Sequence, residues 1–223
     1  VRLFGTPAEE GGGGKVRLLD DDLFAPLDAA LMMHPASSDL TTMAAIANQQ
    51  LQVTFSGRSS HAAAAPHQGR NALDAAVLAY MSIAALRQHI RPTERVHGIF
   101  THGGDKPNVV PSRAAQHWYV RAADLAALEE LKPRVVACLE AGAAAAGCSL
   151  EIEWIDPAYA DMRDNRPLLD LYTANAARIG RTVVDPTVET VVVGSTDMGN
   201  VSYAVPSIHP MIAVAPPGTA IHT

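Results

Sequence analysis

Apolar and polar positions alternate strictly in one stretch of this chain and follow a helical spacing in two others. Leu51, Val53 and Phe55 are separated by Gln52 and Thr54, which is the period of a strand with one buried face. Helices are predicted over about Asn71–Ile90 and Leu125–Ala146. Further strands are predicted at 96–101, 116–121 and 150–154. The order β-α-β-β-α-β predicts a ferredoxin-like unit of about a hundred residues.

The two predicted helices carry local signals of their own. Asn71 and Asp74 resemble a capping pair at the start of the first helix, and Pro92 follows its end. Pro133 lies inside the second helix and is expected to kink or restart it. The first helix is expected to bury one face. The predicted members of that face are Leu73, Val77, Tyr80, Ile83 or Ala84, and Ile90.

The segments on either side of this middle part alternate between strands and helices. Before it we predict a strand at Val1–Phe4, a short helix and loop at Val16–Phe24 and a strand at Ala29–Met33. After it we predict helix Pro167–Gly180, strand Thr190–Val193, a helical stretch at Thr196–Tyr203 and strand Ile208–Val214. The fold class is α/β: a partial mixed-sheet domain (residues 1–49 and 156–223) interrupted by the ferredoxin-like unit (residues 50–155).

Composition narrows the function classes. The 223 residues are 48% hydrophobic and 18% charged, as in globular proteins. The net charge of −6 argues against nucleic acid or an anionic membrane as partner. Cys138 and Cys148 match no zinc or redox spacing, and a cytoplasmic location is expected. The sequence shows no signal peptide and no apolar run that could span a bilayer. Because it starts without Met inside a predicted strand, we expect a fragment.

The first chemical signal is a pair of adjacent carboxylates, Glu9 and Glu10, just after the predicted strand Val1–Phe4. Ligands of open α/β sheets bind beyond the carboxyl ends of strands. A divalent metal could hold both charges, with one Glu as ligand and the other as general base to the bound water. The alternative is a solvated surface pair. The four glycines that follow lack the phosphate-loop spacing, and Lys15 precedes Val16, so a phosphate loop is excluded.

His34 repeats this arrangement, because it follows the predicted strand Ala29–Met33 and precedes Pro35. A lone histidine in such a place is more often packed or solvated than a ligand. Two metal-competent side chains at successive strand ends favour a site. His209 also precedes a proline, Pro210, but matches no ligand position well.

Several motifs in the same order resemble those of the metal-dependent amidohydrolases, the family of aminoacylases, hippurate hydrolases, aminobenzoyl-glutamate hydrolases and glutamate carboxypeptidases. The resemblance covers essentially the whole chain and is greatest for the aminobenzoyl-glutamate hydrolase and dipeptidase-like branch. The motifs are Gly5-Thr6-Pro7-Ala8-Glu9-Glu10, Met32-Met33-His34-Pro35, Ser59-Ser60-His61-Ala62, Pro107-Asn108-Val109-Val110-Pro111, Gly194-Ser195-Thr196-Asp197 and Ile221-His222-Thr223.

The resemblance implies a two-metal catalytic domain and an inserted lid through which two copies form a homodimer. It implies that Glu9 is the general base, and that Glu10, His34 and His222 are metal ligands. Zinc is the expected ion, with manganese, cobalt or nickel as alternatives. Ser195 and Thr196 are expected on a loop that lines the substrate pocket.

On the lid, the resemblance implies that His61 reaches the site of a neighbouring subunit and polarises the scissile carbonyl. It implies that Asn108 and Arg121 hold the carboxylate end of the substrate. Each has a plainer alternative. His61 could cap the turn that follows it, Asn108 could be a turn residue, and Arg121 could be an exposed charge at a strand end.

The implied reaction is hydrolysis of the amide C–N bond of a small N-acyl amino acid, an aminobenzoyl-glutamate-like compound or a dipeptide. Relatives take further metal ligands from strands upstream of the Glu9-Glu10 motif, where this chain begins. We therefore expect the chain as written to bind metal weakly and to be inactive. The alternative is a non-catalytic member of the family that acts as a dimerising or binding module.

Overall fold

The computed structural model describes residues 1–187, 193–216 and 218–219. In chain order its elements are α1 (Gly14–Asp20), β1 (Ala30–Leu31), β2 (His34–Ala36), β3 (Ala44–Ala45), β4 (Ala47–Ser56), α2 (Ala72–Leu86), β5 (Arg95–His102), β6 (Arg113–Ala122), α3 (Leu125–Ala146), β7 (Ser149–Tyr159), α4 (Arg166–Arg178), β8 (Val193–Gly194), α5 (Met198–Ala204), β9 (Ser207–Ile208) and β10 (Met211–Ala213). Short 3-10 turns lie at Pro66–Gln68 and Arg87–His89.

The chain divides into two compact units. The discontinuous unit consists of residues 1–47 and 159–223, and the inserted unit of residues 48–158. The predicted fold class, a partial α/β domain interrupted by an inserted unit, is therefore confirmed. That the first unit is catalytic and the second a lid stays a prediction.

The inserted unit is a four-stranded sheet with two helices. Its strand order is β5-β6-β4-β7, which is the order of a ferredoxin-like β-α-β-β-α-β unit. The alternation predicted for β4 is observed, because Leu51, Val53 and Phe55 are buried while Gln52 is exposed. Trp118 and Val120 of β6 are fully buried as well. The core of this unit therefore lies between one face of the sheet and the two helices.

Helix α2 begins as predicted but buries a different face. The Asn71 side chain accepts hydrogen bonds from the backbone N–H groups of Leu73 and Asp74 and so caps the helix. The predicted stripe is wrong: Val77 is 44% exposed. The buried residues are instead Ala72, Ala75, Ala76, Ala79 and Ile83.

The reason for this face is a close approach of α3. A Cβ at Gly142 of α3 would come within 2.5 Å of the Ala79 backbone nitrogen and 2.6 Å of the Ala75 carbonyl oxygen. Only small side chains fit between helices at that distance, so the alanines face inward and the larger residues face outward. Helix α3 itself runs unbroken through Pro133, so the predicted restart does not occur.

The discontinuous unit pairs its strands in parallel. β1 pairs with β9 and β2 with β10, with His34 in register with Met211. β3 pairs with β8. The single strand predicted at Ile208–Val214 is two strands, because Pro210 has no N–H to donate to a ladder. Helices α1 and α5 pack on each other through an apolar cluster that includes Phe24, Met198 and Val201.

One predicted strand is not formed. Residues 1–8 have no regular secondary structure, and the Val1 and Leu3 side chains are fully exposed. A strand needs a neighbour for its backbone hydrogen bonds, and no strand of the described residues pairs with this stretch. Phe4 stacks on Phe24 at a ring-centroid distance of 5.3 Å. The predicted strand Thr190–Val193 lies outside the described residues except for Val193, which begins β8.

No helix in the described part of the chain has the length and apolar character needed to cross a bilayer.

Candidate active site

The Glu9-Glu10 loop has a backbone that only its glycines allow. Gly13, the residue before α1, has φ 60° and ψ 51°, the left-handed conformation that favours glycine. A Cβ at Gly14 would lie 1.9 Å from the carbonyl oxygen of Pro7, so this position accepts no side chain. The glycines therefore serve a tight turn that brings the start of α1 back against the residues before Glu9.

Glu9 is held at its side chain and at its backbone. The Thr196 hydroxyl donates to Glu9 Oε1 at 2.7 Å. The Tyr159 hydroxyl donates to the Glu9 carbonyl oxygen at 3.2 Å and accepts from the Gly13 N–H at 2.9 Å. Glu9 is partly buried and Glu10 is exposed. Of these two adjacent carboxylates, Glu9 is thus the one whose orientation the described residues determine.

A buried ion pair lies directly behind this loop. Asp197 Oδ1 accepts from Lys15 Nζ at 2.7 Å, and Asp197 Oδ2 accepts from the Lys15 backbone N–H at 2.9 Å. Lys15 is 3% exposed and Asp197 is 0% exposed. The pair joins the start of α1 to the start of α5, and so it connects the loop that carries Glu9 to the loop that carries Thr196.

His34 has the tautomer that a metal ligand needs. Its Nδ1–H donates to the carbonyl oxygen of Pro35 at 2.7 Å, because a carbonyl can only accept. The remaining ring nitrogen, Nε2, then carries the lone pair that would bind a metal. The geometry is compatible with the role predicted for His34 and does not by itself establish it.

His209 is the polar residue that sequence reasoning left unplaced. Its ring centroid lies 5.9 Å from that of His34. It is fully buried, and neither ring nitrogen has a hydrogen-bond partner among the described residues. Burial, together with the positive charges of His34 and Lys15, lowers the pKa of His209 to about 4. The only sequence signal was the repeated His-Pro pair, which carries no information on burial.

The described residues do not form a metal centre by themselves. No group of three or more His, Cys, Asp or Glu side chains among residues 1–187, 193–216 and 218–219 is placed to hold a metal ion. His222, the third predicted ligand, lies outside the described residues. The predicted convergence of Glu10, His34 and His222 therefore stays a prediction.

His61 of the inserted unit caps its own turn, as the plainer alternative had it. Its Nδ1 accepts from the backbone N–H groups of Ala63 and Ala64, at 3.3 and 3.1 Å. Because Nδ1 is the acceptor in a neutral ring, the proton lies on Nε2. The side chain is exposed. The cap thus presents an N–H donor outward, which is the group that polarising a carbonyl requires.

Asn108 lies beside His61, whereas Arg121 does not. The Asn108 carbonyl oxygen accepts from the Ala62 N–H at 3.0 Å, and the Asn108 side chain is exposed on a turn. This segment continues the ladder beyond the Arg113 end of β6, since Gly57 N–H donates to Ser112 at 2.8 Å. Arg121 is eight residues along β6 from Arg113, roughly 26 Å at about 3.3 Å per residue. One copy of the chain does not bring the two together.

Arg121 lies on the face of the sheet that carries several polar rings. Its guanidinium lies 5.3 Å from the centroid of the Tyr119 ring, and Tyr119 stacks on His97 at 5.7 Å. Burial lowers the pKa of Arg121. Burial, then Arg121 and Arg87, lower the pKa of His97.

The two hydroxyls predicted to line the substrate pocket make hydrogen bonds within the protein. Ser195 donates to the carbonyl oxygen of Ile46 at 3.0 Å, and Thr196 donates to Glu9. Each hydroxyl has one proton, so neither is left as a donor to a substrate. Sequence reasoning found the loop but missed Asp197, Lys15 and Tyr159, which fix it.

Comparison with known proteins defines the class. Residues 48–146 match the peptidase dimerisation domain of the M20 family. The chain is 42% identical to Xaa-Arg dipeptidase of Mus musculus over 211 residues, which are 94% of this chain and 49% of that protein. It is 36% identical to one of the two polypeptides of p-aminobenzoyl-glutamate hydrolase of Escherichia coli (strain K12) over 170 residues, which are 75% of this chain and 35% of that polypeptide.

Among solved structures, the fold is similar to that of a protein from Bacillus subtilis described as a dinuclear metal binding peptidase from the M20 family. The TM-score is 0.65 at 18% identity, over 92% of this chain and 53% of that one. Fold and sequence similarity together define an α/β hydrolytic protein with an inserted dimerisation domain. The chain belongs to the family of metal-dependent peptidases and amidohydrolases, as its motifs predicted. It spans about half the length of the curated relatives it matches.

Proposed function

We propose that the whole protein to which this chain belongs hydrolyses the amide C–N bond of a dipeptide, a small N-acyl amino acid or an aminobenzoyl-glutamate-like compound. The observation that carries the proposal is the fixed Glu9 carboxylate. Oε1 accepts the Thr196 proton, and Oε2 has no hydrogen-bond partner among the described residues. A carboxylate held by one oxygen can accept a proton on the other. The similarity to a dipeptidase and to an amide hydrolase supports the same reaction.

In the proposed mechanism Glu9 is the general base and then the general acid. Its Oε2 takes a proton from the attacking water and delivers it to the leaving amine nitrogen, work that typically contributes about 10²–10⁴-fold to a rate. His34, with Glu10 and His222, would hold divalent metal. Such ions, when bound, lower the pKa of a coordinated water and polarise a carbonyl. Imidazole and carboxylate ligands suit zinc, with manganese, cobalt or nickel as alternatives.

His61 would donate its Nε2–H to the oxygen of the scissile carbonyl, in the site of a neighbouring subunit. The support is the tautomer fixed by its cap on Ala63 and Ala64. An oriented donor of this kind is worth about 2.7–4 kcal/mol to an oxyanion in another hydrolase. Asn108, beside His61, and Arg121 remain proposed contacts to the substrate carboxylate. Because they lie at opposite ends of β6, they could act in one site only if two subunits contribute.

The proposed assembly is a homodimer through the inserted unit. Its edge strand β5 and the neighbouring helix α2 share an exposed apolar surface, which we call the α2–β5 surface. Ile99 is 63% exposed and Met81 is 61% exposed. The other members are Val77, Leu78 and Phe100. An open strand edge next to apolar side chains is suited to pairing with its own copy across a two-fold axis.

A non-catalytic dimerising or binding module is the second candidate. It is favoured by one observation, that the described residues contain no group of three metal-competent side chains. The two candidates differ in what the whole protein does with metal and with an amide, so one experiment separates them.

The experiment compares Glu9→Gln with wild type in the whole protein, loaded with zinc or manganese. We expect amide hydrolysis to fall by at least about 10²-fold while the number of bound metal ions is unchanged. Glu140→Gln, an exposed position on α3, is the control and should leave the rate unchanged. His34→Ala should reduce the metal content measured by elemental analysis.

Two results would contradict the proposal. Hydrolysis that survives Glu9→Gln would show that the base is another group. A wild-type protein that binds metal but cleaves none of the three amide classes would favour the binding module.

A further inference from the structure

The Thr196 hydroxyl has only one orientation compatible with its surroundings. Thr196 is 1% exposed, so water does not compete for it. Its Oγ1 accepts from the Met198 N–H at 3.3 Å, at the start of α5. Its proton donates to Glu9 Oε1 at 2.7 Å. With one lone pair engaged by Met198 and one carboxylate oxygen within reach, the proton points at Glu9.

The loop that carries Thr196 is fixed against the loop that carries Glu9. The next residue, Asp197, accepts both the backbone N–H and the ammonium of Lys15, and both side chains are buried. Tyr159 bridges the Glu9 carbonyl and the Gly13 N–H from the other side. Buried ionic and hydrogen-bonded contacts of this kind hold the two loops at one separation. The Thr196–Glu9 distance is therefore a property of the packed unit.

We propose that Thr196 is a positioning residue for Glu9 and not a substrate contact. It holds Oε1 so that Oε2 faces the attacking water, and its only proton is engaged in doing so. The inference rests on the proposed function, because it gives Glu9 the role of base. Misplacing a catalytic group by about 1 Å can cost about 10²-fold in rate, which sets the scale of the expected effect.

The test compares Thr196→Val, which removes the hydroxyl at nearly constant shape, with Thr196→Ser, which keeps it. In the metal-loaded whole protein, we expect Thr196→Val to lower kcat by about 10- to 100-fold with KM within about twofold. Thr196→Ser should stay within about threefold of wild type. In the Glu9→Gln background, Thr196→Val should change the residual rate by less than about twofold, because the group it positions is gone. If Thr196→Val does not fold, Thr196→Ala removes the same hydroxyl without added bulk.

A binding measurement covers the case in which residual rates are too low to compare. The probe is a dipeptide whose scissile amide is replaced by a non-hydrolysable methylene-amine link, titrated by calorimetry into the metal-loaded protein. We expect its Kd to be the same for wild type and Thr196→Val within about twofold. A weaker Kd, or a raised KM with unchanged kcat, would show a substrate contact and overturn the inference.

Two further outcomes are distinguishable. An equal loss of rate from Thr196→Val in the wild-type and Glu9→Gln backgrounds would mean that Thr196 acts on the fold as a whole, which also overturns the inference. A wild-type protein with metal but without amide hydrolysis would overturn the proposed function, and the role assigned to Thr196 with it.

Discussion

Thr196 shows how much a residue's assignment depends on its neighbours. Its motif predicted a loop that lines a substrate pocket, whereas the structure gives its hydroxyl proton to Glu9 at 2.7 Å. The contact joins residues 187 positions apart, and a periodic pattern carries no information at that range. Glu9 and Glu10 are likewise equivalent in sequence. Only the tertiary contacts make the first oriented and leave the second exposed.

Lys15 and Asp197 supply the first stability prediction at this scale. Asp197→Asn leaves the buried Lys15 ammonium without a counter-charge, and removing one partner of a buried pair typically costs about 3–5 kcal/mol. We expect a loss of this size in the free energy of unfolding, measured by urea denaturation. The double variant Lys15→Met/Asp197→Asn should be more stable than Asp197→Asn, since it leaves no buried charge.

The matched control is Asp170→Asn. Asp170 pairs with Arg166 at 3.0 Å, and both side chains are more than 60% exposed. An exposed pair contributes about 0–1 kcal/mol. If the Asp197 and Asp170 variants lost equal stability, burial of the Lys15–Asp197 pair would not be the reason for its strength.

At the scale of elements, local signals were reliable where one residue decides. Asn71 caps α2 as predicted, and α3 spans Leu125–Ala146 as predicted. The buried face of α2 was mispredicted, because hydrophobic periodicity assumes that the largest apolar side chains face the core. The close approach of Gly142 reverses this and places alanines inside. The predicted strand Val1–Phe4 failed because a strand exists only beside another strand.

Gly142→Ala tests the α2–α3 contact. Alanine favours a helix by about 1 kcal/mol over glycine, so an exposed site would be stabilised. Here the added Cβ meets backbone atoms of Ala75 and Ala79, which no rotamer change can relieve, and overpacking typically costs about 1–3 kcal/mol. We expect a net loss of about 1–2 kcal/mol in the free energy of unfolding. Ala145→Ser, exposed on the same helix, should stay within about 0.5 kcal/mol, and a Gly142→Ala variant more stable than wild type would show that the helices are not in close contact.

At the scale of the whole molecule, the order of elements was enough to predict an interrupted α/β architecture. The inserted unit has the strand order of a ferredoxin-like fold, and its sequence matches a peptidase dimerisation domain. The roles of the metal ligands did not follow in the same way. His34 has a suitable tautomer, His222 lies outside the described residues, and Asn108 and Arg121 lie apart on one copy.

The α2–β5 surface gives the prediction at this scale. Met81→Asp and Ile99→Asp each place a charge on an apolar surface that the proposed dimer would bury, which is costly without a partner for the charge. We expect each variant to be monomeric by analytical ultracentrifugation at concentrations where the wild type is dimeric. Ala137→Asp, exposed on α3, should stay dimeric. Variants that remain dimeric would place the interface elsewhere, for example at the β7 edge.

The sequence by itself determined the types of most elements, the caps of the helices, the interrupted domain order and the family, because these depend on local periodicity and on motifs in sequence. The tertiary structure decided which face of α2 is buried, which of two adjacent glutamates is oriented, the tautomers of His34 and His61, and the burial of His209. Each of these depends on atoms far apart in the chain, whose distances no local pattern specifies.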